Sequence, residues 1–296
     1  MKDRFADRHP LVNFIYFALV IAFSMALQHP LAQGISLVCA CAYAVQTEGR
    51  RAVRFCLKWC LPIALVTALA NPLFSHRGMT VLLYFPGGSP LTLESVLYGI
   101  SSGVMIVTVM LWFVNFNRVV TTDKLMCLFG RIIPAMSLVL SMTLRFIPRF
   151  RTQMNSVVDA QRSLGRDISR GSLRRRMKIA VTVLSVMITW ALENAIETAD
   201  SMKSRGYGLP ERSAFSVYRW DGRDRAAMLC LVFCGVYLLA GVAASAFGFW
   251  YFPVVGGTAL HAVTLSFHLV YLILCVMPVA LNALEERTWN TIHSKM

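Results

Sequence analysis

The stretch LVNFIYFALVIAFSMALQ, residues 11–28, contains no charged side chain. A membrane-spanning helix needs about 20 consecutive, mostly apolar residues. Five further runs are similarly apolar, at 31–46, 57–74, 94–117, 226–250 and 261–283, and only Lys58 and Glu94, near the ends of two of them, are charged. The chain is 56% hydrophobic and only 15% charged, against about 25% charged residues in an average soluble domain. These features predict an all-α polytopic membrane protein with about six transmembrane helices.

The positive charges predict how these helices are oriented. Of the 29 Lys and Arg residues, 19 lie between 118 and 225. Two shorter apolar runs lie in the same block, and ten cations would be exported between them if both runs crossed the membrane. Cytoplasmic loops normally carry the excess of Lys and Arg. We therefore expect residues 118–225 to form a cytoplasmic coupling region. Transmembrane helices 1–4 precede it in residues 1–117, and helices 5–6 with a C-terminal tail follow it in residues 226–296. Both termini are then cytoplasmic.

Several other features of the composition have simple explanations. The net charge of +14 does not favour nucleic-acid binding, because the cations flank apolar spans, as the positive-inside rule requires. The eight cysteines lie mostly inside apolar runs and form no CxxC pair. This favours a role as small apolar packing residues in the helices over a role as metal ligands. We expect no cleavable signal peptide, because no small-residue cleavage site follows the first run.

Catalytic function is disfavoured for similar reasons. No GxxxxGK[ST] phosphate loop occurs, so we expect this chain not to hydrolyse ATP. A membrane enzyme would need clustered carboxylates or histidines in or near the spans. Within the six spans there are almost none beyond His261 and His268. We expect no metal site and no cofactor.

Two long helices and a short one are predicted inside the cytoplasmic block. The first long helix runs to about 164 and stops at Gly165, and the second runs from about 174 to 205 and stops at Gly206. Arg162 and Arg205, in the last turns, suit the helix dipole. Two such ends in one block also favour docking of a soluble partner, because an arginine fork pairs well with carboxylates. The arginine run 174–176 is predicted to be a lipid-headgroup or solvated face.

Six short segments follow one another along the chain: HPL at 29–31 with Ser36, NPLFSHRG at 71–78, DKLM at 123–126 with Phe129-Gly130, RFIP at 145–148, AQRSLG at 160–165 and MKSRGY at 202–207. In this order and spacing they resemble the transmembrane T component of energy-coupling factor (ECF) transporters, the EcfT/CbiQ-like family. These transporters are ABC-type importers of vitamins and metal ions in prokaryotes.

The resemblance implies a non-catalytic scaffold subunit in a prokaryotic cell membrane. Its expected partners are two ABC ATPases, which bind ATP and Mg, and one small substrate-binding membrane protein, the S component. Movement of cytoplasmic coupling helices would reorient the S component and release its substrate inside. The alternative is a pore-forming ABC permease with its own substrate pathway, in which we would expect one short coupling helix with an EAA-type loop.

The resemblance also implies which residues dock on the ATPases. The family carries two short motifs centred on arginine, typically Ala-Arg-Gly-like, and Ser204-Arg205-Gly206 matches the second. The first motif departs from the pattern, because Leu164 stands where arginine is expected before Gly165. Arg162 precedes Leu164 by two residues and Arg166 follows Gly165, so a shifted arginine and apolar packing of Leu164 both remain open. The predicted docking residues are Ala160, Arg162, Ser163, Leu164, Gly165, Ser204, Arg205 and Gly206.

A second group of residues lies at the outer end of the third predicted span. Pro and Gly there are typical of a helix stop followed by a turn. The resemblance offers direct contact with the S component as the other explanation. The residues in question are Asn71, Pro72, His76, Arg77 and Gly78.

Overall fold

The computed structural model describes residues 3–293 except 76, 85–89, 133, 167–171, 208, 210–217, 219 and 259–260, and it describes no side chains at 130–137 or 284–293. The elements are, in chain order, α1 Pro10–Ala26, α2 Pro30–Glu48, α3 Arg50–Phe55, a π-helical segment Cys56–Cys60, α4 Leu61–Phe74, β1 Val81–Tyr84, β2 Pro90–Thr92, α5 Leu93–Val119, α6 Thr122–Ile132, α7 Pro134–Ser163, α8 Leu173–Ser204, α9 Gly222–Ala243, β3 Phe249–Trp250, β4 Gly256–Gly257 and α10 Ala262–His293. The strands form two short antiparallel pairs, β1 with β2 and β3 with β4.

Five helices in the described part of the chain are long and apolar enough to cross a membrane. They are Arg50–Phe74, Leu93–Val119, Leu173–Ser204, Gly222–Ala243 and Ala262–Ala283. The prediction of an all-α polytopic membrane protein is therefore confirmed.

The predicted spans and the observed helices differ in detail. The predicted spans 57–74, 94–117, 226–250 and 261–283 overlap four of the five helices. The first of these helices begins earlier, at Arg50, and α9 ends at Ala243, seven residues before the predicted end at 250. The predicted spans 11–28 and 31–46 correspond to α1, which is apolar but has only 17 residues, and α2, which has 19. The fifth helix is α8, which we predicted to be cytoplasmic although its length and composition also suit a span. Its cytoplasmic placement stays a prediction based on the positive-inside rule.

The chain divides into two compact units. Unit 1 comprises residues 1–125 and 218–296, and unit 2 comprises residues 126–217. Unit 2 contains α7, α8 and most of α6, and it lies inside the block predicted to be cytoplasmic.

Close helix packing in unit 1 depends on two glycines of α5. A Cβ atom on Gly99 would lie 2.7 Å from the carbonyl oxygen of Ala68, and one on Gly103 would lie 2.9 Å from that of Ala64. Small residues at such crossings let helix backbones approach closely, which is how membrane helices gain packing energy without a hydrophobic driving force. The α4–α5 pair is therefore held by backbone proximity.

A buried polar cluster lies in the interior of unit 1. The Ser24 hydroxyl is 2.8 Å from the Ser36 hydroxyl and 3.1 Å from the Tyr271 hydroxyl, and Trp112 Nε1 donates to Ser36 Oγ at 2.9 Å. These four side chains are buried, so each must find a partner inside the protein. Ser36, one of the residues that carry the family resemblance, therefore has a structural role.

The segment before α1 is tucked into unit 1. The Phe5 ring is completely buried, 5.0 Å from the ring of Tyr16 and 6.3 Å from that of Tyr43. The Phe5 amide donates to Asn282 Oδ1 at 3.0 Å, and the Tyr43 hydroxyl donates to Asp3 Oδ2 at 2.7 Å. This segment thereby ties α2 and α10 together.

A buried cation holds the other side of the same segment. Lys124, in the first turn of α6, donates from Nζ to the carbonyl oxygens of Ala6 and Val119, the latter at 2.7 Å. Burial lowers the pKa of Lys124, while the charges of Asp3 and Asp7 act in the opposite direction. Lys124 thus joins the start of α6 to the N-terminal segment and to the end of α5.

Unit 2 is built on a helical hairpin of α7 and α8. The ring of Phe146 stacks on that of Trp190 at 5.4 Å, and the Arg149 guanidinium lies 5.9 Å from the Trp190 ring centroid. Nearer the loop, three side chains of α8 are buried with Val157 and Val158 of α7 packed against them: Ile179, Val183 and Met187. This apolar seam fixes the two helices against each other.

Candidate functional site

The end of α7 has a defined backbone geometry. The Arg166 amide donates to the carbonyl of Gln161 at 2.9 Å, and the Gly165 amide donates to the carbonyl of Arg162 at 3.0 Å. Gly165 has φ of 72°, in the left-handed region that glycine adopts without strain. This pair of bonds is a Schellman motif, in which glycine occupies C′ and the residue before it is the C-cap.

The end of α8 has the same geometry. The Tyr207 amide donates to the carbonyl of Met202 at 3.0 Å, and the Gly206 amide donates to the carbonyl of Lys203 at 3.0 Å. Gly206 has φ of 74°. The predicted glycine stops at Gly165 and Gly206 are confirmed, and both helices end in the same motif.

The shared motif makes the two ends comparable residue by residue. Leu164 and Arg205 are both the C-cap residue, directly before the glycine. Arg162 lies two positions before Leu164, as Lys203 lies two positions before Arg205. Two positions correspond to a rotation of about 200° around the helix axis. Arg162 therefore does not take the place of Arg205, and the residue in that place is Leu164.

The two C-cap side chains are both accessible. Leu164 is 70% exposed. Arg205 is exposed, and its guanidinium makes no ion pair or hydrogen bond within the described part of the chain. Arg162 Nη1 lies 4.0 Å from Asp159 Oδ1, one turn earlier.

A cation from the neighbouring helix lies at the first end. Arg175, in the first turn of α8, donates from Nη2 to the carbonyl of Gly165 at 3.3 Å. The bond occupies a carbonyl that the helix end leaves open. Arg175 is exposed, so this bond does not contradict the prediction that 174–176 is a solvated or headgroup face, which stays a prediction. The bond adds a contact with the α7 end, one residue beyond Leu164.

The two ends lie far apart along the hairpin. The Arg175–Gly165 bond places the first end beside the start of α8, and Arg205 closes the other end of α8. Thirty residues of helix separate Arg175 from Arg205, a rise of about 45 Å. One partner groove cannot bind both ends.

The remaining predicted docking residues bond to their own backbone. Ser163 Oγ donates to the carbonyl of Asp159 at 3.0 Å, and Ser204 Oγ donates to that of Ser201 at 2.9 Å. The Ala160 carbonyl accepts from the Leu164 amide at 3.3 Å. These small residues keep the helix ends narrow, which leaves the C-cap side chains as the projecting groups.

The second predicted group has a structural role that the geometry makes clear. Pro72 does not stop α4, which continues to Phe74. Pro72 is buried, and a Cβ on Gly99 would lie 3.3 Å from its Cδ. The Asn71 carbonyl accepts from the Ser75 amide at 2.8 Å and closes the last turn. His76 lies outside the described residues.

The turn after α4 is fastened to the start of α5. Glu94 is 1% exposed and accepts from the Thr80 amide at 3.1 Å and the Thr80 hydroxyl at 2.8 Å. Thr92 Oγ1 donates to the carbonyl of Arg77 at 2.8 Å. Gly78 has φ of 138°, and a Cβ there would lie 2.6 Å from Glu94 Oε2. Gly78 is therefore required by the approach of Glu94.

Comparison with known protein families matches residues 8–216 to the CbiQ family, described as cobalt transport protein. The match covers well over half of this chain of 296 residues. The chain belongs to the EcfT/CbiQ family. The matched range contains both Schellman ends and the 71–78 stretch, whereas α9 and α10 lie beyond it.

Individual relatives agree with this EcfT/CbiQ assignment. The energy-coupling factor transporter transmembrane protein EcfT 1 of Listeria monocytogenes is 27% identical over 194 residues, which are 60% of this chain and 71% of that protein. The EcfT protein of Lacticaseibacillus paracasei is 35% identical over 106 residues, 35% of this chain and 40% of that protein. The EcfT protein of Bacillus subtilis is 31% identical over 98 residues, 33% of this chain and 37% of that protein.

Membership in the EcfT/CbiQ family makes this chain a multi-pass membrane component of a transport system, a class without catalysis of its own. Sequence reasoning missed Arg175 as part of the first helix end. The signal was present, since the loop between the two helices is short enough to bring 174–176 back to Gly165.

Proposed function

We propose that this chain is the transmembrane scaffold of an ECF-type ABC importer. It couples ATP hydrolysis by two cytoplasmic ATPases to movement of a small substrate-binding S component, for uptake of a vitamin or metal ion. ATP and Mg are bound by the ATPases, and the cargo is chosen by the S component. The observation that carries this proposal is the pair of equivalent, exposed C-cap residues, Leu164 and Arg205.

The hairpin of α7 and α8 suits a lever between two ATPases. The seam around Phe146 and Trp190 joins the helices, and the two docking ends are about 45 Å apart along α8. When two ATPase subunits close on ATP, grooves that hold the two ends move toward each other. A hairpin with a packed seam passes this movement on as a shift of whole helices.

The two ends require different grooves. Arg205 presents a planar fork that pairs with a carboxylate in two hydrogen bonds. Leu164 presents an apolar side chain, with the cation of Arg175 one residue away at Gly165. A groove with a buried carboxylate is complementary to Arg205. Against Leu164, the same carboxylate would lose its water without gaining a partner. This asymmetry favours two non-identical ATPase subunits.

The S component is expected to contact the last turn of α4 and the turn after it. Leu73 and Phe74, in that last turn, are 56% and 87% exposed. Asn71, Pro72 and Gly78 shape this end of the helix through their contacts with α5. They act on the S component by holding that surface in place.

Copurification with candidate ABC ATPases tests the proposal. We expect native protein to retain ATPases, and Arg205→Glu to lose one of them. Lys203→Glu is the matched control. It reverses a charge at the same helix end, but Lys203 lies about 200° around the helix axis from Arg205. Equal retention by all three proteins, or retention of no ATPase by the native chain, would rule out the proposed coupling role.

A further inference from the structure

A short basic segment, residues 50–60, forms the first turns of the helix Arg50–Phe74 in unit 1. Gly49 ends α2 with φ of 57°, and α3 begins directly after it, at Arg50–Phe55. The π-helical turn Cys56–Cys60 continues the helix into α4, which begins at Leu61. Ala52 and Cys60 are buried and fix the segment to unit 1. The segment is thus the basic start of a long apolar helix.

Four cations of the basic segment are exposed and uncompensated. No carboxylate within the described part of the chain forms an ion pair with any of them: Arg50, Arg51, Arg54 and Lys58. Arg118, which lies close to Ala52 and Phe55 of this segment, behaves differently, since its Nη1 is 3.0 Å from Glu48 Oε1 and its Nη2 donates to the carbonyl of Thr47 at 2.6 Å. The free positive charge therefore belongs to the segment itself.

Large apolar side chains alternate with these cations. Leu57 is 69% exposed and Trp59 is 54% exposed. Lys58 Nζ lies 5.9 Å from the centroid of the Trp59 ring. An exposed tryptophan beside a lysine is typical of the headgroup level of a membrane, where the ring spans the polar boundary and the lysine extends toward phosphate.

We propose that the basic segment is a binding site for anionic phospholipid headgroups of the cytoplasmic leaflet. Arg50, Arg54 and Lys58 follow one another at intervals of four residues, so they lie near one side of the helix and can meet the same phosphate or two neighbouring ones. Arginine forks bind phosphate through two parallel hydrogen bonds. The acyl chains then lie along the exposed apolar side chains of α4.

The other candidate partner is an acidic surface of a soluble protein. The exposed apolar side chains of the segment argue against such a partner. A soluble partner would have to cover Leu57 and Trp59 as well as the charges. These side chains continue directly into Leu61, Leu65 and Leu69, which are also exposed on α4. A bilayer covers such a stripe along its full length, with the cations at its edge.

The site is independent of the proposed coupling role. It lies in unit 1, whereas Leu164 and Arg205 lie in unit 2. Loss of lipid binding and loss of ATPase docking can therefore be measured separately on the same variants.

Native mass spectrometry of the purified full chain, titrated with phosphatidylglycerol or phosphatidylcholine, tests the proposal. We expect native protein to retain phosphatidylglycerol in preference to phosphatidylcholine. Each of Arg50→Gln, Arg54→Gln and Lys58→Gln should weaken this preference about fivefold, and the triple variant should abolish it. Arg77→Gln removes an exposed cation from the far end of the α4 region and should leave the preference unchanged.

A charge-conserving triple variant, with Arg50→Lys, Arg54→Lys and Lys58→Arg, keeps the test decisive if the Gln triple does not fold. It should bind phosphatidylglycerol like the native chain. The proposal is overturned if native protein shows no preference for phosphatidylglycerol, or if the Gln triple keeps that preference. Loss of ATPase copurification by the Gln triple with unchanged lipid preference would assign the cations to a protein partner instead.

Discussion

Leu164 and Arg205 occupy the same position, the C-cap of a Schellman motif, at the ends of the two helices of one hairpin. The backbone around them is equivalent, so the difference between the two ends is a difference of side-chain chemistry. One end presents a charged fork and the other an apolar side chain with an arginine from the neighbouring helix beside it. Each of the first two predictions uses this equivalence.

The first prediction concerns Leu164. Leu164→Glu should abolish docking at the first end, because a carboxylate would be desolvated in an apolar groove. Arg162→Glu should have a small effect, like Lys203→Glu at the other end. Retention of each ATPase on copurification measures both. If Arg162→Glu is the more damaging of the two, the C-cap equivalence does not govern docking.

The second prediction compares the two C′ glycines. An alanine in the left-handed region costs roughly 1–2 kcal/mol, so Gly165→Ala and Gly206→Ala should both loosen the last helical turn. The two effects should be similar, because the Cβ on Gly206 would lie 3.0 Å only from Leu209 Cδ1, the end of a 67% exposed side chain that can turn away, and nothing lies within 4 Å at Gly165. Hydrogen exchange of the last-turn amides measures the effect. Exchange unchanged from native protein in either variant would contradict a strained backbone at that glycine.

The third prediction concerns the buried ring before α1. Phe5→Ala should destabilise unit 1 by about 3–5 kcal/mol, the usual cost of removing a fully buried phenylalanine. Phe74→Ala is the matched control, because that ring is 87% exposed, and its effect should stay within about 0.5 kcal/mol. Thermal unfolding in detergent compares the two. Similar Tm values for both variants would mean that the N-terminal segment does not belong to the core.

The fourth prediction concerns Lys124. Lys124→Met removes the donor to the carbonyls of Ala6 and Val119. Asn13 Nδ2 also donates to the Ala6 carbonyl at 3.4 Å, so we expect a loss of about 1–3 kcal/mol from the Val119 carbonyl. Lys203→Met, at an exposed position, should have little effect on stability.

The same lysine predicts a pH dependence. Burial lowers the pKa of Lys124 in the folded protein from its ordinary value of 10.5. Between the lowered pKa and 10.5, Lys124 therefore binds more protons in the unfolded chain than in the folded one. Stability should therefore rise with pH in that window. Denaturant unfolding at several alkaline pH values should show this slope in native protein and a smaller one in Lys124→Met. An identical slope in both proteins would contradict the assignment to Lys124.

Local patterns predicted the helix ends well. Gly165 and Gly206 were identified as stops because glycine is the common C′ residue, and both adopt the left-handed conformation that this position requires. The departure of the first motif at Leu164 was also visible in the sequence. These features depend on a few neighbouring residues, which is why sequence reasoning reached them.

Features that depend on distant residues could not be predicted. Nothing near Glu94 in the sequence shows that it is buried against Thr80, and nothing near Lys124 shows that it binds the carbonyl of Ala6. The helix stop predicted near Pro72 is observed two residues later, at Phe74, but the contact of Pro72 with Gly99 of α5 could not be read from the sequence. In each case the deciding partner comes from another element.

The bond between the Phe5 amide and Asn282 joins residues 277 positions apart. During synthesis, Phe5 leaves the ribosome well before Asn282, so its pocket stays incomplete until α10 has been made. The α7–α8 hairpin, whose contacts are local, can form before that moment. A nascent chain would therefore have both Schellman ends before unit 1 is complete.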